Sequence, residues 1–140
     1  MTTAIDTNVI VALWDRDAEV NTSAQSALDK AFERGGLVIS APVFAELMAA
    51  PGRDEAFLNM FFKDTGIGID WDLDEAIWRT AGLAFRVYAR RRQRQRDSGP
   101  CRILADFLIG AHALRRGCQL LTLDEGVYHS AFPQLRLIKI

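Results

Sequence analysis

Asp6, Glu46, Asp106 and Asp124 are four carboxylates in four separate stretches of the chain, and each stands close to the end of an apolar run. Carboxylates gathered in one place repel one another. The cost is about 1 kcal/mol per pair in water at about 4 Å, and about 4 kcal/mol in the effective dielectric near a protein surface. Such a group must take up protons or share a cation. Oxygen donors without a neighbouring His or Cys select a hard dication, Mg²⁺ or Mn²⁺. A hard dication beside carboxylates is the apparatus of phosphodiester hydrolysis. Plainer readings fit the same residues. Asp6 suits the cap of a following helix, Asp124 suits a turn with Glu125-Gly126, and most of the 18 acidic residues must be solvated surface.

The elements that must deliver these acids follow from periodicity and punctuation. Thr2 to Ile5 reads as a short strand that ends on Asp6, with a helix from about Asn8 to Trp14. Thr22 to Arg34 has helical spacing and stops at Gly35-Gly36. Leu37 to Ser40 is a second apolar strand, and Pro42 suits the first turn of the helix that carries Glu46. Asp54 to Lys63 predicts a helix, and Gly66 to Ile69 a brief third strand. A long helix runs from about Asp74 into an arginine-rich stretch, broken by Asp97-Ser98-Gly99-Pro100. Ile103 to Arg116 is the helix with Asp106 near its start, Gln119 to Thr122 a fourth strand before Asp124, and Leu135 to Ile140 a fifth. Strands alternating with helices predict an α/β layer fold with a mostly parallel sheet of four to five short strands. In an open parallel sheet, ligand sites form beyond the carboxyl ends of the strands. That edge is where this reading sends all four acids, with helix N-termini near Asp106 and Glu46 easing their charge.

The 140 residues suit one domain over 1–140, and 49% apolar with 25% charged residues is a soluble globular composition. The net charge of −1 gives no global pull towards nucleic acid. The local exception is Arg90, Arg91, Arg92, Arg94 and Arg96, flanked by Arg86 and Arg102. This patch suits RNA phosphates, and equally the solvated C-terminal end of a helix, where cations favour the dipole. Cys101 and Cys118 form no CxxC pair, and His112 and His129 make no zinc spacing with them, so free thiols in a reducing cytoplasm are expected. The first residues lack a basic leader, and no apolar run is long enough to span a bilayer. Phe57, Met60, Phe61, Phe62, Trp71 and Trp78 are expected to be mostly core, with some apolar surface left for a partner.

Four segments carry a family resemblance: I-D-T-N-V-I at 5–10, A-E-L at 45–47, A-D-F-L-I-G-A-H-A at 105–113 and L-T-L-D at 121–124. Together, and in this order, they resemble the signatures of the PIN domain, and the chain length is similar to that of VapC-type toxins of toxin–antitoxin pairs. The resemblance implies a three-layer α/β/α fold and Mg²⁺- or Mn²⁺-dependent endoribonuclease activity. It also implies a cognate antitoxin, a homodimer and RNA as substrate. It matches Asp6, Glu46, Asp106 and Asp124 to the family's four acids. Asn8 and Thr122 match polar groups that support them. The basic stretch over 90–96 is the departure from many relatives, and it bears on the target rather than the chemistry.

Competing activities fit less well. A haloacid dehalogenase-class phosphatase needs a second Asp two places after the first, where this chain has Asn8. A response-regulator receiver could use Asp70 but wants an early acidic pair and a late Lys that are missing. A housekeeping RNA-processing nuclease and a non-catalytic PIN-like binding module are the nearer alternatives. An antitoxin-like reading frame upstream would separate toxin from housekeeping enzyme.

Overall fold

Five short strands, β1 (Thr3–Ile5), β2 (Leu37–Ser40), β3 (Gly68–Asp70), β4 (Gln119–Thr122) and β5 (Leu137–Lys139), form a sheet in the order β3-β2-β1-β4-β5. The structure is a computed structural model, and it describes residues 1–95 and 103–140. Every strand pairing is parallel, so the sheet is more uniform than the mostly parallel one expected. Parallel neighbours cannot be joined by tight hairpins. Helices make the crossovers: α1 (Thr7–Leu13), α2 (Ala18–Arg34), α3 (Ala41–Met48), α4 (Glu55–Thr65), α5 (Glu75–Gln95), α6 (Leu104–Arg115) and α7 (Glu125–Ala131).

The central strands β1 and β4 are buried at every residue. Side chains alternate between the two faces of a strand, so both faces of the sheet are covered, as in other parallel α/β layers. The register pairs Thr3 with both Leu37 and Gln119, and the Gln119 side-chain amide donates to Thr3 Oγ1 at 2.9 Å within this dry layer. On the helical side, α6 is buried continuously from Phe107 to Ala113. A helix apolar all round belongs in a core, which makes α6 the least mobile platform available for Asp106.

Three local differences from the sequence reading have physical causes. Helix α2 begins at Ala18 rather than near Thr22, because the Asp17 carboxylate accepts from the Glu19 and Val20 amides and caps it early. Strand β3 begins at Gly68, because Gly66, at φ 71°, is the left-handed terminus of α4. Helix α7 is seven residues long and contains Gly126, too short to show periodicity. The aromatic set is also less buried than expected. Phe62 is core, whereas Met60, Trp71 and Trp78 are 59%, 59% and 49% exposed. Among the described residues, no helix is long and apolar enough to cross a membrane.

Gly110 sets the distance between α6 and the end of α7. A Cβ there would stand 2.3 Å from Cε2 of Phe132, a ring that is 3% exposed. The Gly110→Ala variant is therefore expected to lose about 1–3 kcal/mol of stability through overpacking. Urea denaturation checks this, and an unchanged midpoint would show that the Phe132 ring can move aside.

Candidate functional site

The strand order reverses direction between β1 and β4, since the chain builds outward through β2 and β3 on one side and through β5 on the other. At such a switch point the loops after two neighbouring strands diverge and leave a crevice at their carboxyl ends. Asp6 follows β1 and Asp124 follows β4. The parallel ladder continues one step beyond β1, with the Asp6 amide donating to the Leu121 carbonyl at 3.0 Å. That step sets Asp6 beside Thr122.

Asp6 is 5% exposed, and its carboxylate is held by three donors. Oδ1 accepts from the Thr7 amide at 2.7 Å, and Oδ2 accepts from the Thr122 hydroxyl at 2.8 Å and the Tyr128 hydroxyl at 2.9 Å. The Thr7 bond makes Asp6 the cap of α1 as well, so the two readings of this residue are compatible. Thr122 Oγ1 also accepts from the Asp124 amide at 3.0 Å and lies 3.3 Å from the Asp124 carbonyl. Its single proton goes to the nearer, charged oxygen of Asp6. Asn8 Oδ1 accepts from the Leu123 amide at 3.2 Å and ties the start of α1 to the loop after β4.

The other acids arrive from helices. Asp106 lies in the first turn of α6, where the helix dipole favours its charge. Glu46 lies late in α3, whose first turn holds no acid, so the expected help from that helix N-terminus is absent. Its Oε1 accepts instead from the Thr7 hydroxyl at 2.6 Å. Asp124 occupies the position before α7 without capping it through its side chain. All four acids, with Asn8, Asp15 and Tyr128, line one cavity of about 520 Å³. Among the described residues, no three acidic, His or Cys side chains stand close enough to hold one ion as placed. The four acids share a wall of this cavity, and Asp106 is near enough to Asp6 to act on its charge.

Burial pushes the Asp6 carboxyl up to about 6, against the three hydrogen bonds that lower it, and the Asp106 charge adds to the rise. Burial and the Asp6 charge also push the Tyr128 phenol well above its usual range, so it serves as a proton donor to Asp6 throughout the ordinary pH range.

A profile of the PIN domain matches residues 3–133. The chain belongs to the PIN-domain family. PIN domains are nucleases, and the coarse reading of this chain as a nuclease stands with the assignment. Comparison with curated proteins returned no match. Solved structures share the fold at low identity. VapBC2 of Rickettsia felis, bound to a promoter DNA fragment, aligns at TM-score 0.72 and 19% identity over 99% of this chain and 98% of that one. VapBC-1 of nontypeable Haemophilus influenzae aligns at 0.67 and 20% over 99% and 98%. A toxin–antitoxin complex of Klebsiella pneumoniae aligns at 0.60 and 18% over 99% of each chain.

Motif spacing in this PIN domain did not single out Thr7, Asp15 or Tyr128. Thr7 lies inside the D-T-N segment, whereas Tyr128 lies in the unforeseen α7 and carried no signal. Asp70, the residue a receiver would use, is absent from the acid cavity. Its Oδ2 lies 2.9 Å from His112 Nε2 and accepts from Arg116 Nε at 3.0 Å, a clasp between β3 and α6. Partial burial pushes the Asp70 carboxyl up, but the bonds from His112, the Asp72 amide and Arg116 outweigh it and hold it below the usual value. Of the arginines, Arg90, Arg91 and Arg94 are exposed and Arg92 is half-buried. Arg91 donates to the Ser130 hydroxyl at 2.7 Å and so fastens α5 to α7. Arg96, Arg102 and Cys101 lie outside the described residues, while Cys118 is free and buried.

For Asp6 the folded value of about 6 exceeds the ordinary 3.8, so the folded state holds the proton more tightly than the unfolded chain. The resulting stability is fully present below the ordinary value and is lost as pH rises through the folded one. Without divalent cation, the wild type should lose about 3 kcal/mol relative to Asp6→Asn across that window. Denaturant midpoints from pH 3 to 7 check it, and parallel curves for the two proteins would contradict it.

Proposed function

We propose that this PIN domain is a Mg²⁺- or Mn²⁺-dependent endoribonuclease acting as the toxin of a toxin–antitoxin pair. One observation carries the proposal: four acids from four distant segments line a single cavity at the sheet's switch point. The donor set fits a hard dication, being all oxygen and buried at Asp6. Asp6 and Asp106 would hold the ion, with Glu46 and Asp124 completing its shell directly or through water. When bound, the ion supplies positive charge to the phosphodiester oxygens and acidifies water at the site.

The chain's own residues do the rest. Thr122 and Tyr128 keep the Asp6 carboxylate from turning. Asn8 holds the loop that carries Asp124 in register with α1. Glu46, steadied by Thr7, is the acid placed to take the proton of an attacking water. Arg90, Arg91, Arg92 and Arg94 bind the RNA backbone, with Arg96 and Arg102 as the corresponding assignments from sequence. Support comes from Arg91 and Arg92, which line a groove against α7 whose Val127 also lines the acid cavity. The antitoxin partner is inferred from the likeness to solved toxin–antitoxin structures. A homodimer is proposed with it, because Met60 and Trp71, each 59% exposed, lie outside the groove lined by Arg91 and Arg92 and suit a second copy.

Single-stranded RNA incubated with the protein and Mg²⁺ should be cut internally, with no cutting in EDTA. Asp6→Asn and Asp106→Asn should each lose about 100-fold or more of this activity while staying folded by circular dichroism. Undiminished cleavage in either variant, or cleavage that ignores EDTA, refutes the assignment. Replacing Arg90 and Arg94 by Gln should weaken RNA binding and lower the log–log salt slope by about 0.7 per lost phosphate contact. An unchanged slope removes these residues from the interface.

A further inference from the structure

Tyr128 is 1% exposed, yet it places a hydroxyl on the most buried carboxylate of the site. It lies outside every motif that identifies the family in this chain. A carboxylate oxygen offers two lone pairs. On Asp6 Oδ2 both are taken among the described residues, one by Thr122 and one by Tyr128, at 2.8 and 2.9 Å. Oδ1 accepts only the Thr7 amide among the described residues, at 2.7 Å. One lone pair is therefore left over, and it belongs to Oδ1. A phenylalanine would fill the same space without occupying Oδ2, so packing alone does not account for the hydroxyl.

We propose that Tyr128 is a positioning residue that makes Asp6 offer a cation one oxygen, Oδ1, and thereby sets the site's preference for Mg²⁺ over Ca²⁺. The inference rests on the reading of Asp6 as a cation ligand. Mg²⁺ is small, keeps a near-ideal octahedron and is satisfied by single oxygens and water. Ca²⁺ takes six to eight oxygens and gains from carboxylates that bind through both. Closing Oδ2 with two hydroxyl donors withholds that second oxygen from the larger ion. Thr122 cannot do this alone, because its one proton covers one lone pair.

The test is calorimetric titration of Mg²⁺ and Ca²⁺ into the wild type, Tyr128→Phe and Asp6→Asn, with thermal melts to verify folding. In Tyr128→Phe the Ca²⁺-to-Mg²⁺ affinity ratio is expected to rise about 10-fold, the scale on which hydrogen-bonded neighbours of a metal ligand act. An unchanged ratio in a folded Tyr128→Phe overturns the positioning role and leaves the cation reading intact. A wild type that binds neither ion at millimolar concentration overturns both. Should Tyr128→Phe not fold, infrared difference spectra of the wild type with isotope-labelled aspartate decide the matter. Mg²⁺ binding should widen the separation of the Asp6 carboxylate stretches, as one-oxygen coordination does, and the change should be absent from Asp6→Asn. A narrowed separation, the mark of two-oxygen coordination, overturns the proposal.

Discussion

A carboxylate buried between two diverging parallel strands is the constraint on which this molecule turns. Asp6 gives up water to sit at the end of β1, and among the described residues it is held by an amide and two hydroxyls. Hydrogen bonds of this kind orient a charge without neutralising it. The sheet creates the place for it: only at the β1–β4 boundary do neighbouring strands send their following loops in opposite directions.

Around that carboxylate the polar groups form a connected set. Thr7 joins Asp6 to Glu46 by donating its amide to one and its hydroxyl to the other. Thr122 joins Asp6 to the backbone of Asp124, and Asn8 joins α1 to the same loop. Glu46 and the backbone of Asp124 thus come from different elements but are referred to a common frame by short neutral side chains. The four acids line one cavity around that frame.

Much of this frame was legible in the sequence, because local and global signals agreed. Apolar runs ending beside Asp6 and at Thr122, and the Gly35-Gly36 stop, marked the strands and helices of a parallel α/β layer, and the acids fell at the same edge. Tyr128 was illegible because its contact with Asp6 spans nearly the whole chain and its helix is too short to leave a periodic trace. The early start of α2 was missed because a capping Asp at 17 outweighed weak propensity in the residues after it. Met60 of α4, Trp71 after β3 and Trp78 of α5 were overestimated as core, since hydrophobicity alone does not say which face of an element the fold will cover. The roles of the acids as ligands and of the arginines as phosphate contacts follow from chemistry and remain proposals.

The buried middle of α6 has a practical corollary for any large-scale survey of variants. Between Phe107 and Ala113 there is no solvent-facing position on which to absorb a change. Replacements there would deplete the amount of folded protein rather than its turnover per molecule. A screen scored only on output would merge this stretch with Asp106 into one block of intolerance, and normalising each score to soluble abundance would split the scaffold from the acid it carries.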